Sequence, residues 1–382
     1  MRTAYLDNSA TTPVCEVAAD AARDAMLYHY GNPSSLHSLG VEAEAIVEQA
    51  RQAVAGRLGA QKREILFTSC GTEANNLALF GASQAMRRRG NRIVVSSVEH
   101  PSVAKAADEL ERQGFEVVRL PVGADGVILT DALEAAITKE TILVSLMLVN
   151  NETGAIQPVA KAAECIRQSG SPALLHCDAV QAFGKLELNA RSLGADLITI
   201  SGHKIHAPKG IGALYLRRGT RILPQLLGGG QEGGLRSGTE SVPLIAAFGA
   251  AIDALGDIAA HTRQVETLRR HCVERIQADE TLGSLAVIHS TDVSLPYLLS
   301  LSLPGFRSET MLHFLEQRGV YVSAGSACAK GKRSAVLAAQ GLAGREIDSA
   351  LRISFSRFST EEDISQLVDA LREGVSRLAR AR

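Results

Sequence analysis

The stretch Arg63–Ser97, REILFTSCGTEANNLALFGASQAMRRRGNRIVVSS, carries the fold in miniature. Arg63–Ser69 is a short β-rich run. Glu73–Arg89 follows with helical character, arginines in its last turn and Gly90 placed as a stop. Arg92–Ser97 is β-rich again. Outward from this unit the pattern repeats. Pro101 opens a helix that ends at Gly114. The runs Phe115–Leu120, Thr141–Val149, Ala173–Cys177 and Asp196–Ile200 then come with helical spacers between most of them. Such alternation predicts an α/β fold around a largely parallel sheet.

One pair of runs breaks the pattern. Ser201–Gly210, which contains Pro208 and two of the region's glycines, separates Asp196–Ile200 from Ile211–Arg217. That is too little chain for a helical crossover, so Ile211–Arg217 is predicted antiparallel to its neighbours. Beyond it lie a glycine-rich loop, Gly228–Gly238, and one long helical stretch, Pro243–Ala278. The remainder predicts a smaller α+β unit, with strands at Ala286–His289, Leu298–Leu303 and Leu351–Ser356 and a helix at Glu309–Arg318. The last helix is expected to start in a capping box, Ser359-x-x-Glu362.

Composition narrows the function. The 382 residues carry 40 Lys+Arg against 41 Asp+Glu, so no charge footprint suits nucleic acid or an anionic membrane. The six cysteines (15, 70, 165, 177, 272, 328) include no CxxC pair, and His203 and His206 have no third ligand at metal-binding spacing, so no metal site is expected. The most apolar run, Ile142–Val149, falls far short of a membrane span, and MRTAYLDNSATTP has no apolar leader segment. A cytoplasmic protein with reduced thiols is expected.

In open α/β sheets ligands bind beyond the carboxyl ends of the strands. Here those ends are followed by Gly71 and Thr72, by Glu99 and His100, by Asn151 and Glu152, by Asp178 and Gln181, and by Ser201, His203 and Lys204. Gly71-Thr72 at a helix start suits a phosphate, or is a plain Thr cap. No GxxxxGK[ST] motif is present and no GxGxxG follows the first strand, which excludes a P-loop and argues against a nicotinamide site. Asp178 and Lys204 end two consecutive strands; they form either a structural ion pair or the acid and amine that hold pyridoxal phosphate. His100 either lies on the cofactor ring or makes a local helix-start hydrogen bond.

Together the segments YLDNSATTP, CGTEANN, SVEHPSV, VNNETG, HCDAVQAFGK, SGHKIHAPKGIGALY and GGGQEGGLRSGTE resemble the pyridoxal-phosphate-dependent cysteine desulfurases of the NifS/IscS type, from Tyr5 to Phe358. The resemblance implies the fold-type I aminotransferase architecture. Its large domain, with a mostly parallel mixed seven-stranded sheet, would span 14–255; its small domain, carrying a catalytic cysteine loop, would combine 1–13 and 256–382. It also implies a homodimer and a sulfur-acceptor protein, such as an iron–sulfur scaffold or a thiolation enzyme. Residue by residue, it implies that Lys204 bears pyridoxal 5′-phosphate, that Asp178 meets the pyridine nitrogen and Gln181 the phenolic oxygen, and that His100 stacks on the ring and assists proton transfer. Gly71, Thr72, Ser201 and His203 would hold the phosphate, with Thr239 reaching it from the partner subunit. Asn151 would lie near the phenolic oxygen and the substrate, L-cysteine, whose carboxylate Arg352 would bind with Asn32 at its border.

The loop Val322–Arg333, VSAGSACAKGKR, carries Cys328. By itself it is a small-residue loop beside a basic run; Lys330, Lys332 and Arg333 would favour a thiolate if close. Its GSAC motif resembles the catalytic loop of the same enzymes, which makes Cys328 the implied persulfide carrier. The residues after it, Ala-Lys-Gly-Lys-Arg, depart from the small and hydroxyl residues common there. Two other readings stay open: a selenocysteine lyase or aminotransferase on the same fold, and a sulfur-assembly scaffold without catalysis.

Overall fold

A computed structural model describes residues 2–324 and 333–380. The chain starts with β1 (Ala4–Tyr5) and two helices, α1 (Glu16–Tyr28) and α2 (Ser38–Leu58). Strand and helix then alternate: β2 (Ile65–Thr68), α3 (Gly71–Met86), β3 (Arg92–Ser96), α4 (Pro101–Arg112), β4 (Glu116–Leu120), α5 (Thr130–Ala136), β5 (Thr141–Met147), α6 (Val159–Ser169), β6 (Leu174–Asp178), α7 (Ala190–Leu193) and β7 (Leu197–Ser201). After β8 (Gly212–Leu216) come α8 (Val242–Asp253) and α9 (Ile258–Ala278). The rest is β9 (Val287–Ile288), β10 (Leu298–Ser302), α10 (Ser308–Glu316), β11 (Val320–Tyr321), β12 (Ser323–Ala324), α11 (Ala335–Ala339), α12 (Gly344–Ile347), β13 (Ala350–Ser354) and α13 (Glu361–Arg377).

Seven strands form one sheet in the order β2-β8-β7-β6-β5-β3-β4. β8 is antiparallel to both β7 and β2, as the short spacer before it predicts, and the other pairs are parallel. Six strands therefore share one direction, and the carboxyl ends of β2, β3, β5, β6 and β7 open on the same edge. Side chains alternate between two apolar layers. Ile93 and Val95 pack with Leu77, Val103 and Leu110 of α3 and α4, whereas Val94 and Val144 join the opposite layer with Val47 of α2 and Phe248 of α8. There α2 and α8 approach so closely that a β-carbon on Gly249 would stand 2.9 Å from the Ala50 Cα.

A second, antiparallel sheet (β12-β13-β10-β9) and the parallel pair β1–β11 lie toward the C-terminal part of the chain. The amino-terminal segment belongs to this region: Asp7 bridges Ser354, and Ser354 N–H donates to the Leu6 carbonyl at 2.7 Å.

Three local expectations need correction. The stretch Pro243–Ala278 is two helices bent by 75°, because Gly256 takes a left-handed φ of 59° and the Asp257 side chain caps α9. The final capping box is Thr360 with Asp363, one residue later than expected, since the Ser359 hydroxyl is used by the Ser356 N–H at 3.0 Å. Gly90 is outside the left-handed region; α3 has already ended, and a β-carbon there would stand 2.3 Å from the Glu140 carbonyl.

Candidate active site

The common edge of the sheet opens into a cavity of about 390 Å³. Gly71, Thr72, His100, Asn151, Asp178, Gln181, Ser201, His203, Lys204 and Arg352 all line it. Two expected residues do not. Thr239 is exposed and lines a separate, smaller pocket with Glu232 and Arg236, and Asn32 is exposed in the turn before α2, where its side chain accepts from the Ser34 N–H at 2.9 Å. Cys328 lies outside the described residues. Arg333, next to that segment, pairs its guanidinium with Asp348 at 2.7–2.8 Å.

At one end of the cavity α3 starts at Gly71 with no side chain capping its first turn. Thr72 is therefore inside the helix and is not its cap. A β-carbon on Gly71 would meet Val180 at 3.0 Å and Ser201 at 3.4 Å. The buried Ser201 hydroxyl has no hydrogen-bond partner. Open backbone N–H groups, the helix dipole and an unsatisfied hydroxyl make a fitting cradle for a phosphate.

In the middle of the cavity Asp178 is 5% exposed. One carboxylate oxygen accepts from the Val180 N–H at 3.0 Å and the other from the Asn75 amide at 2.7 Å. A carboxylate has about four acceptor positions, so some remain for a protonated ring nitrogen. Asn75 also donates to the Ser102 hydroxyl at 2.8 Å, and that hydroxyl lies 2.8 Å from His100 Nδ1. The Ser102 N–H donates to the same Nδ1 at 3.1 Å. Nδ1 is thus an acceptor, and the neutral imidazole carries its proton on Nε2. His100 is held below the usual histidine range by burial, with Asp178 acting against it and Lys204 reinforcing it. His203 is pushed down to about 4, chiefly by burial and by the Lys204 charge. His100 makes the local helix-start hydrogen bond that one of its sequence readings expects, and it is also a wall of the cavity.

Lys204 follows β7 in a single helical turn. Its ammonium donates to the Ser9 carbonyl and, at 2.8 Å, to the Ala10 carbonyl. Gln181 donates to the same Ser9 carbonyl at 3.0 Å. At the mouth Arg352, 4% exposed, spans the Asn151 carbonyl and the Asp7 carboxylate, both at 3.0 Å, with its Nε still unpartnered. A guanidinium so anchored suits a substrate carboxylate. Beneath Asp178, buried Glu99 accepts from Met147 N–H at 2.9 Å and from the Ser96 hydroxyl at 2.5 Å; burial pushes it up to about 8. Glu152 is likewise raised to about 7 by burial, with Ser334 donating to it at 2.5 Å and Arg352 nearby.

Asp7, Ser9, Ala10, Asn75 and Ser102 are contributors that sequence reasoning missed. Only Asn75, on the cavity-side turn of α3, carried any signal. The other cysteines sort by burial: Cys165, Cys177 and Cys272 are buried, Cys15 is half-buried and Cys70 lines the cavity.

The class-V aminotransferase family model matches residues 4–367. The chain is 40% identical to a cysteine desulfurase of Nostoc sp. over 387 aligned residues, covering 99% of this chain and 94% of that one. It superposes on a solved NifS-like protein with a TM-score of 0.92 at 36% identity, covering 99% of this chain and all of the other. It superposes on SspA in complex with cysteine with a TM-score of 0.81 at 31% identity, over 93% of this chain and 99% of that one. With the sheet order, the phosphate cradle and the placing of Asp178 and Lys204 in one cavity, these likenesses place the chain in the class-V aminotransferase family, among the pyridoxal-phosphate-dependent cysteine desulfurases of the NifS/IscS type.

Proposed function

We propose that this chain converts L-cysteine to L-alanine and passes the sulfur on as a persulfide of Cys328. The observation that carries the reading is the convergence of Lys204, Asp178 and Arg352 on one cavity. Pyridoxal phosphate, when bound, supplies an electron sink for bonds at the substrate's α-carbon. Gly71, Thr72, Ser201 and His203 would hold its phosphate, Asp178 its ring nitrogen, Gln181 and Asn151 its phenolic oxygen, and Lys204 its aldehyde carbon. Arg352 orients the substrate carboxylate. Lys204 Nζ takes and returns the α-proton, and His100, with its proton on Nε2, donates to a neighbouring basic atom. The Cys328 sulfur bonds the substrate sulfur while the Cβ–S bond breaks. The electron pair of that bond stays on carbon, which a proton completes as the methyl group of alanine.

A homodimer accords with Thr239 and Asn32, which are exposed and outside their own chain's cavity, and with the exposed apolar side chains Leu27, Tyr28, Tyr30 and Leu36. A sulfur-acceptor protein, an iron–sulfur scaffold or a thiolation enzyme, would receive the persulfide sulfur. A reducing, cytoplasmic setting accords with the unpaired cysteines among the described residues.

Incubation with L-cysteine followed by mass spectrometry should show alanine and an added sulfur on Cys328. Cys328→Ala should keep the cofactor's visible absorbance and release no sulfide, and Lys204→Ala should lose that absorbance. Undiminished sulfide release by Cys328→Ala under reducing conditions would overturn the role given to this thiol.

A further inference from the structure

Lys185 sits at the end of the turn that follows β6, 5% exposed. Its ammonium donates to Gln181 Oε1 at 3.1 Å, and among the described residues no carboxylate pairs with it. Burial, with the Lys204 and Arg352 charges adding to it, lowers the amine to about 7. A buried lysine without a counter-ion is costly, and an apolar side chain of similar length would pack there more favourably. The ammonium also lies 5.9 Å from the centre of the Tyr297 ring, and among the described residues Gln181 is its one hydrogen-bond partner lining the cavity.

That contact and the Ser9 carbonyl together decide which way the Gln181 amide faces. The Ser9 carbonyl can only accept, so the nitrogen of Gln181 must point to it, at 3.0 Å. Lys185 supplies a donor on the opposite side, so the oxygen must point to Lys185. A flipped amide would set oxygen against oxygen at Ser9 and N–H against N–H at Lys185. The amine keeps N–H donors in both of its protonation states, so the arrangement survives through neutral pH. One amide N–H is used by Ser9, and the second remains for the cavity that Gln181 lines.

We infer that Lys185 is a positioning residue: it locks the Gln181 amide with its oxygen turned away from the cavity, so that an N–H faces the phenolic oxygen of the cofactor. The inference rests on the reading of Gln181 under the proposed function. Without Lys185 the Ser9 carbonyl alone opposes rotation of the amide, which has lost the second of its two anchors.

The test uses purified protein with two readouts: the dissociation constant of the apo-protein for pyridoxal phosphate, and the pH midpoint of the lysine-bound cofactor's visible absorbance in the holoenzyme. Lys185→Met should weaken cofactor binding about 10-fold, the scale of one hydrogen bond to a charged group. It should move the midpoint in the same sense as Gln181→Ala. Lys185→Met combined with Gln181→Ala should do no more than Gln181→Ala alone, since the lysine acts through the glutamine. Lys185→Gln, which keeps a donor and no charge, should stay within about 3-fold of the parent. Lys185→Ala replaces Lys185→Met if the latter fails to fold. The inference is overturned if Lys185→Met leaves both readouts unchanged while Gln181→Ala shifts them, if the two effects add, or if Lys185→Gln behaves like Lys185→Met. If Gln181→Ala also changes nothing, the reading of Gln181 falls with it.

Discussion

Glu99→Gln isolates one buried carboxyl, hydrogen-bonded to the backbone of the cavity-lining Met147. Glu99 is 7% exposed, and burial, aided by the Asp178 charge and opposed by hydrogen bonds from Ser96 and Met147, pushes its carboxyl from 4.5 up to about 8. Folding therefore binds a proton here. A group raised in this way gives stability that is fully present below pH 4.5 and is lost as pH climbs through about 8. Each pH unit inside that interval is about 1.4 kcal/mol, so the whole interval holds roughly 5 kcal/mol. The amide introduced by Glu99→Gln would keep an oxygen for Ser96 and Met147 and has nothing to titrate. The assay is denaturant unfolding of both proteins from pH 5.5 to 7.5, at one protein and one cofactor concentration. Glu99→Gln should gain about 3 kcal/mol on the parent across those two pH units. The lowered histidines His203 and His206 push stability the other way, rising with pH, but they are common to both proteins and cancel in the difference. Parallel stability curves would refute the reasoning and leave Glu99 ionised in the folded protein.

Asn75→Ala removes the amide that joins Asp178 to Ser102 and, through it, to His100; the dissociation constant for pyridoxal phosphate should rise about 10-fold, read by cofactor titration of the apo-protein. Arg352→Lys cannot span Asp7 and Asn151 as the guanidinium does; steady-state kinetics should show KM for L-cysteine up by about 10-fold or more, with a smaller change in kcat. Arg51→Met strands the Glu232 carboxylate, 2% exposed, which now takes two hydrogen bonds from Arg51. Equilibrium unfolding should show a loss of about 3–5 kcal/mol, with much of it recovered when Glu232→Gln is added.

Local chemistry made the strand–helix alternation legible, and spacer length alone exposed β8 as antiparallel. Gly256-Asp257 held the signal for the bend between α8 and α9, a left-handed glycine followed by a capping acid, yet apolar continuity on both sides masked it. The shift from Ser359 to Thr360 as helix cap turned on which hydroxyl the Ser356 N–H claims, a choice between two adjacent and chemically similar residues. Within the cavity, the groups that follow the strands were readable because the shared strand direction delivers them to one edge. Ser9 and Ala10 were not, since they contribute backbone carbonyls, which every residue has. Asp7 was hidden for another reason: its partner Arg352 is 345 positions away, and no local pattern connects the two.

The bridge between Asp7 and Ser354 imposes an order of assembly. Ser9 N–H donates to the Ser354 hydroxyl at 2.9 Å, and the Lys204 ammonium rests on carbonyls of that same amino-terminal segment. A ribosome making this chain releases the seven-stranded sheet, with Asp178 and Lys204, well before residue 354 exists. The wall that receives Lys204 already has ties within that part of the chain, from Thr12 to His203 and from Cys15 to His206, and Ser354 adds further ones across a loop whose closure is slow. Until then a nascent chain could grip the phosphate end of the cofactor without a finished mouth. Competence to bind cysteine would thus wait for Arg352 and Ser354, which meet the segment from Asp7 to Ser9 across some 345 positions.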